Sequence, residues 1–133
     1  MKRISKEKMY MEIAEVICMR STCERLHVGA LIVSEDFKNI RSFGYNGNYA
    51  GGPNVCDGKG PGNCFCVHAE INSLIKPREH EDVVMFVSQS PCINCAKAII
   101  NAGIRKVFYR YEYRDDSGLK LLKKAKVEVV RIK

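Results

Sequence analysis

From residue 82 onward, short apolar runs of strand length alternate with segments of helical periodicity, and this alternation constrains the fold more than any other feature of the sequence. Residues 82–88 and 106–109 read as strands, residues 93–102 and 117–124 as helices, and residues 127–132 as a last strand, with Gly103 ending the first of those helices. A helix between two strands is a crossover, so the last two strands are expected to run parallel. Upstream, residues 27–33 and 39–45 read as two strands joined by a polar turn, a hairpin, and residues 69–75 as a helix halted near Pro77. An opening helix spans residues 5–20, with Ser5 as N-cap, Glu7 in the first turn, and Met9, Ile13, Val16, Ile17 and Met19 near helical spacing. The order αββαβαβαβ implies an α/β protein: a mixed five-stranded sheet with helices on both faces, a three-layer α/β/α sandwich.

Residues 46–63 are rich in glycine and proline and must form a loop, and a loop that long in a compact domain is usually functional. The 133 residues suit one domain, 1–133, because a domain takes roughly 100–200 residues. With 46% hydrophobic and 28% charged residues, the chain is not disordered, collagenous or mucin-like. No apolar run approaches the ~18 residues of a membrane span, and Met1-Lys2-Arg3 leads into mixed polar sequence, so a soluble, cytoplasmic protein with no membrane partner is expected. Lys and Arg outnumber Asp and Glu by 22 to 15, a net +7 that suits an anionic partner. The charges are scattered, and no basic stripe with interleaved aromatics is present to stack a nucleic-acid strand, which favours a small nucleotide over a polymer.

Seven cysteines without a secretion signal point to metal or catalytic thiols, since cytosolic thiols are kept reduced. The informative residues are His68-Ala-Glu70 and, some two dozen positions on, Pro91-Cys92-Ile-Asn-Cys95. A single Cys-x-x-Cys is equally a redox pair or half a zinc knuckle, and a lone His on a helix is usually a packed residue. Together they reproduce the His-x-Glu … Pro-Cys-x-x-Cys signature of zinc nucleobase deaminases. The chemistry accounts for the residue types. One imidazole and two thiolates, from His68, Cys92 and Cys95, leave the fourth tetrahedral position of Zn²⁺ open for water, whereas a purely structural site is closed by four ligands. The metal makes hydroxide available near neutral pH for attack at C4 of a cytosine ring. Glu70 is not a ligand; it is placed to shuttle protons from the water to the ring and to the departing ammonia.

Over nearly its whole length the chain resembles the cytidine deaminase superfamily and, within it, the deoxycytidylate (dCMP) deaminases. The segments that carry the resemblance are Val28-Gly-Ala-Leu-Ile-Val33, Gly44-Tyr-Asn-Gly47, Ala50-Gly-Gly-Pro-Asn-Val-Cys56, His68-Ala-Glu-Ile-Asn72, Ser90-Pro-Cys-Ile-Asn-Cys-Ala-Lys-Ala-Ile-Ile100 and Ala102-Gly-Ile-Arg-Lys-Val-Phe-Tyr109. The resemblance implies that Asn46 binds the sugar or phosphate, that Ala69 and Ser90 offer backbone groups to the cytosine ring, and that Tyr113 lies over the nucleotide. Arg25, Lys97 and Arg114 are the candidate phosphate ligands. It further implies a second, structural zinc in a closed site of Cys23, Cys56, Cys64 and Cys66, which pins the glycine-rich loop beside the catalytic ligands and leaves Cys18 as a buried helix residue. A homo-oligomer, often a hexamer, is also implied. Ser73 and the run from Val87 to Ser90 depart from the usual family pattern, so control by deoxynucleoside triphosphates does not carry over.

The expected activity is hydrolytic deamination of a cytosine nucleotide, dCMP to dUMP. The alternatives are deamination of another cytosine or adenine substrate (a nucleoside, a modified base, RNA or single-stranded DNA) and a non-catalytic zinc- or nucleotide-binding module.

Overall fold

The computed structural model describes residues 1–56, 65–79 and 81–133. Their elements follow the expected order: α1 (Lys6–Cys18), β1 (Gly29–Ser34), β2 (Ile40–Tyr45), α2 (Ala69–Leu74), β3 (Val83–Gln89), α3 (Ile93–Asn101), β4 (Lys106–Tyr111), α4 (Ser117–Lys124) and β5 (Glu128–Arg131). The sheet order is β2-β1-β3-β4-β5. β1 runs antiparallel to both neighbours, and β3, β4 and β5 run parallel, with Met85 opposite Val107 and Val107 opposite Val129. The hairpin and the parallel last pair are thus present, and the parallel half extends one strand further, to β3.

Alternation along the strands divides the interior into two layers. Ala30, Ile32, Met85, Val87, Val107 and Tyr109 face α2, α3 and α4, where they pack with Ala69, Ala96, Ile99, Leu119 and Leu122. Leu31, Val33, Val84, Phe86 and Phe108 face the other way, onto α1. That second layer is aromatic: Phe86 and Phe108 stack with centroids 4.4 Å apart, and Tyr10 and Phe37 lean on them. A pair of this kind contributes ~0.5–1.5 kcal/mol beyond the area it buries.

α1 begins as the sequence implies, with Ser5 Oγ accepting from Lys8 N–H at 3.0 Å. Its inward face matches the expected one only in part: Ile13 and Ile17 pack against the core. Tyr10, Met11 and Ala14 are buried, while Met9, Val16 and Met19 point outward. The reason is a close backbone approach: a Cβ on Gly29 of β1 would lie 2.1 Å from Ala14 O, so the helix turns the side carrying Ala14 toward the sheet. Cys18, expected to be buried, is only half-buried, its thiol donating to Glu15 O. At the end of α3 the expected stop is in place: Gly103 has φ 81°, the left-handed geometry that favours glycine after a helix. No helix among the described residues is long and apolar enough to cross a membrane.

Because β1 opposes β2 and β3, the start of β1 and the ends of β2, β3 and β4 meet at one edge of the sheet. There Asn46 acts as a tie. Its Oδ1 accepts from Val28 N–H (2.8 Å), its Nδ2 donates to Leu26 O (2.7 Å), and the next residue, Gly47, forms a two-way bridge with Val67. The segment before β1 and the segment leading into α2 are thereby held side by side.

Candidate active site

His68 is the extended residue capping α2, and Cys92 plays the same part for α3, where its sulfur accepts from Cys95 N–H at 3.5 Å. The two helices start at the same edge of the sheet and bring three donors together. His68 Nδ1 lies 3.2 Å from Cys95 Sγ and 3.5 Å from Cys92 Sγ, and all three donor atoms fall within 4.8 Å of one another. Tetrahedral zinc with ordinary Zn–N and Zn–S bonds requires a nitrogen–sulfur spacing of about 3.5 Å, so the donor set fits that metal. The group contains three protein ligands among the described residues, the number that leaves a coordination position for chemistry.

The thiols are polarised even without a metal. A hydrogen bond from the Cys95 thiol, aided by His68, holds Cys92 well below the ordinary thiol range, while the proton it shares and its burial push Cys95 upward. One thiolate is therefore ready before the metal arrives, and binding releases the second proton.

Glu70 occupies the first turn of α2 and is only 4% exposed. Burial pushes its carboxyl up to about 7, against smaller opposing effects of its own backbone N–H, His68 and Cys95. A buried carboxyl that titrates near neutrality beside a metal-ligand cluster has the properties of a proton carrier.

His68, Glu70 and Cys92 line a cavity of about 510 Å³, with walls that come from the converging strand ends: Leu26, Val28, Asn46, Gln89, Ser90, Tyr113 and Arg114. Open α/β sheets bind ligands at the carboxyl ends of their strands, and β2, β3 and β4 all end here. Of the residues expected to touch a nucleotide, Asn46, Ala69, Ser90 and Tyr113 all line the cavity, as do Arg25 and Arg114. Lys97 is not among them. It lies on the exposed side of α3, two residues and hence about 200° around the helix from buried Cys95. Ser90 N–H is engaged by Tyr111 O (2.7 Å), which leaves the Ser90 carbonyl as the backbone group to offer a ring, and Ser90 Oγ accepts from Tyr113 N–H (2.8 Å), fixing where Tyr113 begins. Burial pushes the Tyr113 phenol up to about 12, so it stays neutral at physiological pH.

Gln89, Asn94, Phe65 and Asp115 also line the cavity and were not anticipated. Gln89 could have been found from its position at the carboxyl end of a parallel strand, and Asn94 from lying between the two cysteines of the Cys-x-x-Cys. Phe65 and Asp115 carry no such signal.

The second cysteine set is also gathered: the sulfurs of Cys23, Cys56 and Cys66 lie within 4.8 Å of one another, and Cys64 falls outside the described residues. Here the structure departs from the expected thiolate site, because Cys56 and Cys66 are joined as a disulfide. A disulfide sulfur carries no thiolate charge for a metal. Two thiolates on one tetrahedral zinc stand about 3.8 Å apart, so the disulfide-bonded and zinc-bound forms exclude each other.

A two-thiolate, one-imidazole cluster with a buried glutamate two residues from the histidine, at the carboxyl edge of a mixed sheet, is the arrangement of the zinc nucleobase deaminases. The chain belongs to the cytidine and deoxycytidylate deaminase family: residues 4–111 match the model of its zinc-binding region. It is 33% identical to the deoxycytidylate deaminase of Mycobacterium phage D29 over 130 residues, covering 84% of this chain and 99% of that one. It is 35% identical to ComE operon protein 2 of Bacillus subtilis over 126 residues, 86% of this chain and 64% of the other. The chain thus spans less than two thirds of the Bacillus protein and, for the Saccharomyces cerevisiae deoxycytidylate deaminase, 45% of its length. Among solved structures, the dCMP deaminase of cyanophage S-TIM5 in complex with dCMP and dUMP superposes with a TM-score of 0.87 at 34% identity, covering 99% of this chain and all of that one.

Proposed function

We propose that this chain is a zinc-dependent hydrolase that converts dCMP to dUMP and ammonia. The observation that carries the reading is the buried Glu70 carboxyl beside the His68, Cys92 and Cys95 donors, in a cavity that also holds two arginines. The cyanophage relative, which holds dCMP and dUMP in its own structure, supports the choice of substrate.

Zinc held by His68, Cys92 and Cys95 supplies the Lewis acidity that makes a water nucleophile available near neutral pH. Glu70 takes the first proton of the attacking water and delivers it to N3 of the ring. It then carries the second to the amino nitrogen, which leaves C4 as ammonia, so that the products are a uracil ring and NH₃. The N–H of Ala69, at the start of α2 where helical N–H groups lack an intrahelical acceptor, and the carbonyl of Ser90 orient the pyrimidine edge. Tyr113 covers the ring as a neutral phenol. Asn46 uses one hydrogen and one lone pair of its carboxamide on Leu26 and Val28, and keeps one of each for the sugar. The test is an ultraviolet assay of the zinc-loaded protein on dCMP and deoxycytidine. Turnover of dCMP is expected, and inactivity on it would overturn the reading.

Arg25 and Arg114 are the side chains in this cavity suited to a 5′-phosphate. Replacing either by Ala is expected to raise KM for dCMP about 10- to 100-fold, the loss of one charge-assisted hydrogen bond, without changing the slow turnover of deoxycytidine. Equal effects on the two substrates would remove both residues from phosphate reading.

In the reduced chain, Cys23, Cys56 and Cys66 together with Cys64 are proposed to hold a second zinc, supported by the convergence of the three described sulfurs. Metal analysis of protein purified under reductant should give two zinc ions per chain, falling to one in Cys23→Ser. A single zinc in the reduced wild type would overturn the second site. Association into a homo-oligomer is supported by outward-facing apolar side chains, among them Val16, Met19, Phe43 and Ile75.

A further inference from the structure

Two of the closest backbone approaches in the molecule press on the elements that carry the zinc ligands. α4 meets the start of α3 at Gly118: a Cβ there would lie 2.0 Å from Pro91 O and 2.8 Å from Cys92 C. β2 meets α2 at Gly44, where a Cβ would lie 2.6 Å from both Ala69 O and Ser73 N. The partners in both cases are backbone, which cannot swing aside as a side chain can. Pro91 is fully buried, and Cys92 follows it directly in the chain.

We infer that Gly118 and Gly44 are positioning residues for the metal, setting from outside the separation between Cys92 and His68. Real Cβ atoms essentially never come within 3.0 Å of such neighbours, so a methyl group at position 118 must displace the Pro91–Cys92 segment or α4 by about 1 Å. A zinc site tolerates only ~0.2 Å in its ligand distances. The Cys92 sulfur already stands at the spacing zinc requires from His68 Nδ1, 3.5 Å, so the part of that displacement taken up by the Pro91–Cys92 segment carries one thiolate out of reach. At Gly44 the shift required is smaller, and it moves the helix that begins directly after His68 and carries Glu70.

Gly29 supplies a matched comparison. Its Cβ would meet Ala14 O at 2.1 Å, a clash as severe as that at Gly118, but its partner is α1, on the opposite face of the sheet. A purely structural glycine and a ligand-positioning one therefore predict different results. The inference rests on the zinc-binding reading of His68, Cys92 and Cys95, and the experiment separates the two. Zinc affinity of the metal-free chain is measured by chelator competition in a Cys23→Ser background, which removes the second proposed zinc, for the otherwise unchanged chain and for its Gly118→Ala, Gly44→Ala and Gly29→Ala variants, with melting temperatures recorded in parallel. Cobalt(II) spectra report thiolate coordination, because zinc itself is spectroscopically silent. Gly118→Ala and Gly44→Ala should bind zinc 10- to 100-fold more weakly and lose thiolate-to-cobalt absorption. Gly29→Ala should melt at a lower temperature yet bind zinc within about threefold of the otherwise unchanged chain. Should Gly118→Ala fail to fold, the milder Gly44→Ala carries the test. Unchanged affinity in either folded site variant, or an equal loss in Gly29→Ala, would overturn the inference, while failure of the otherwise unchanged chain to bind zinc at this site would overturn the reading beneath it.

Discussion

Replacing Glu70 by Gln is expected to lower dCMP turnover by about 10³-fold while leaving the fold and the zinc content intact. Glutamine has nearly the shape of glutamate and fits the same buried position, so what is removed is the ability to accept and return a proton. Burial raises the carboxyl to about 7 in the metal-free chain, and the proposed turnover asks it to take a proton and give it up twice. An amide can do neither. Steady-state assays with metal analysis on the same sample check the prediction. A Glu70→Gln enzyme retaining more than a tenth of wild-type activity would require another proton carrier, and Tyr113, pushed up to about 12, is poorly suited to that part.

The same substitution should stabilise the metal-free chain, and the sign follows from linkage. In the unfolded chain Glu70 titrates at its ordinary value of 4.5, whereas in the folded, metal-free chain burial raises it to about 7. Below pH 4.5 both states hold the proton, so no penalty exists. Between 4.5 and 7 the folded chain keeps a proton that the unfolded chain releases, and stability falls as pH rises. Above 7 the cost is fully developed, on the order of 3 kcal/mol. Glu70→Gln removes it, so denaturant unfolding of the chelated proteins should show the variant more stable at pH 8 and the difference vanishing near pH 4. A constant difference across that range would mean that packing, not protonation, sets the cost. Glu70 would then be a residue kept at the expense of stability for what it does to substrate.

The element order was legible because strand and helix periods alternate cleanly after residue 82, and because the end of α3 is marked by Gly103, whose backbone is left-handed. The ligand set was legible for a different reason. Zinc chemistry restricts residue type and spacing so tightly that the candidate donors His68, Cys92 and Cys95, with Glu70 two residues from the histidine, stand out without any knowledge of the fold. What was not legible depends on which surfaces meet. The inward face of α1 is chosen by contact with Gly29, not by its most apolar stripe, so Met9 and Val16 face outward. The cavity collects Gln89 from β3, Asn94 from α3, and Phe65 and Asp115 from connections, and only the folded sheet brings them to one edge. Lys97 failed as a phosphate candidate because two helical positions carry a side chain to the far side.

The sheet has two poles. One gathers the beginning of β1 and the ends of β2, β3 and β4 around the cavity; the other, where the polar turn after β1 lies beside Glu81 and Asp82, contributes no residue to its lining. The aromatic layer under α1 likewise lies apart from the metal donors. Much of the cohesion thus lies apart from the cavity, with Val28 and Ala69 shared between the two. Substitutions in the connecting segments at the first pole can reshape the cavity while the aromatic layer and the far end of the sheet are left as they are. Such a separation makes the fold permissive to divergence: lineages can retain the sheet and its metal donors while the walls of the cavity are rewritten around a different base.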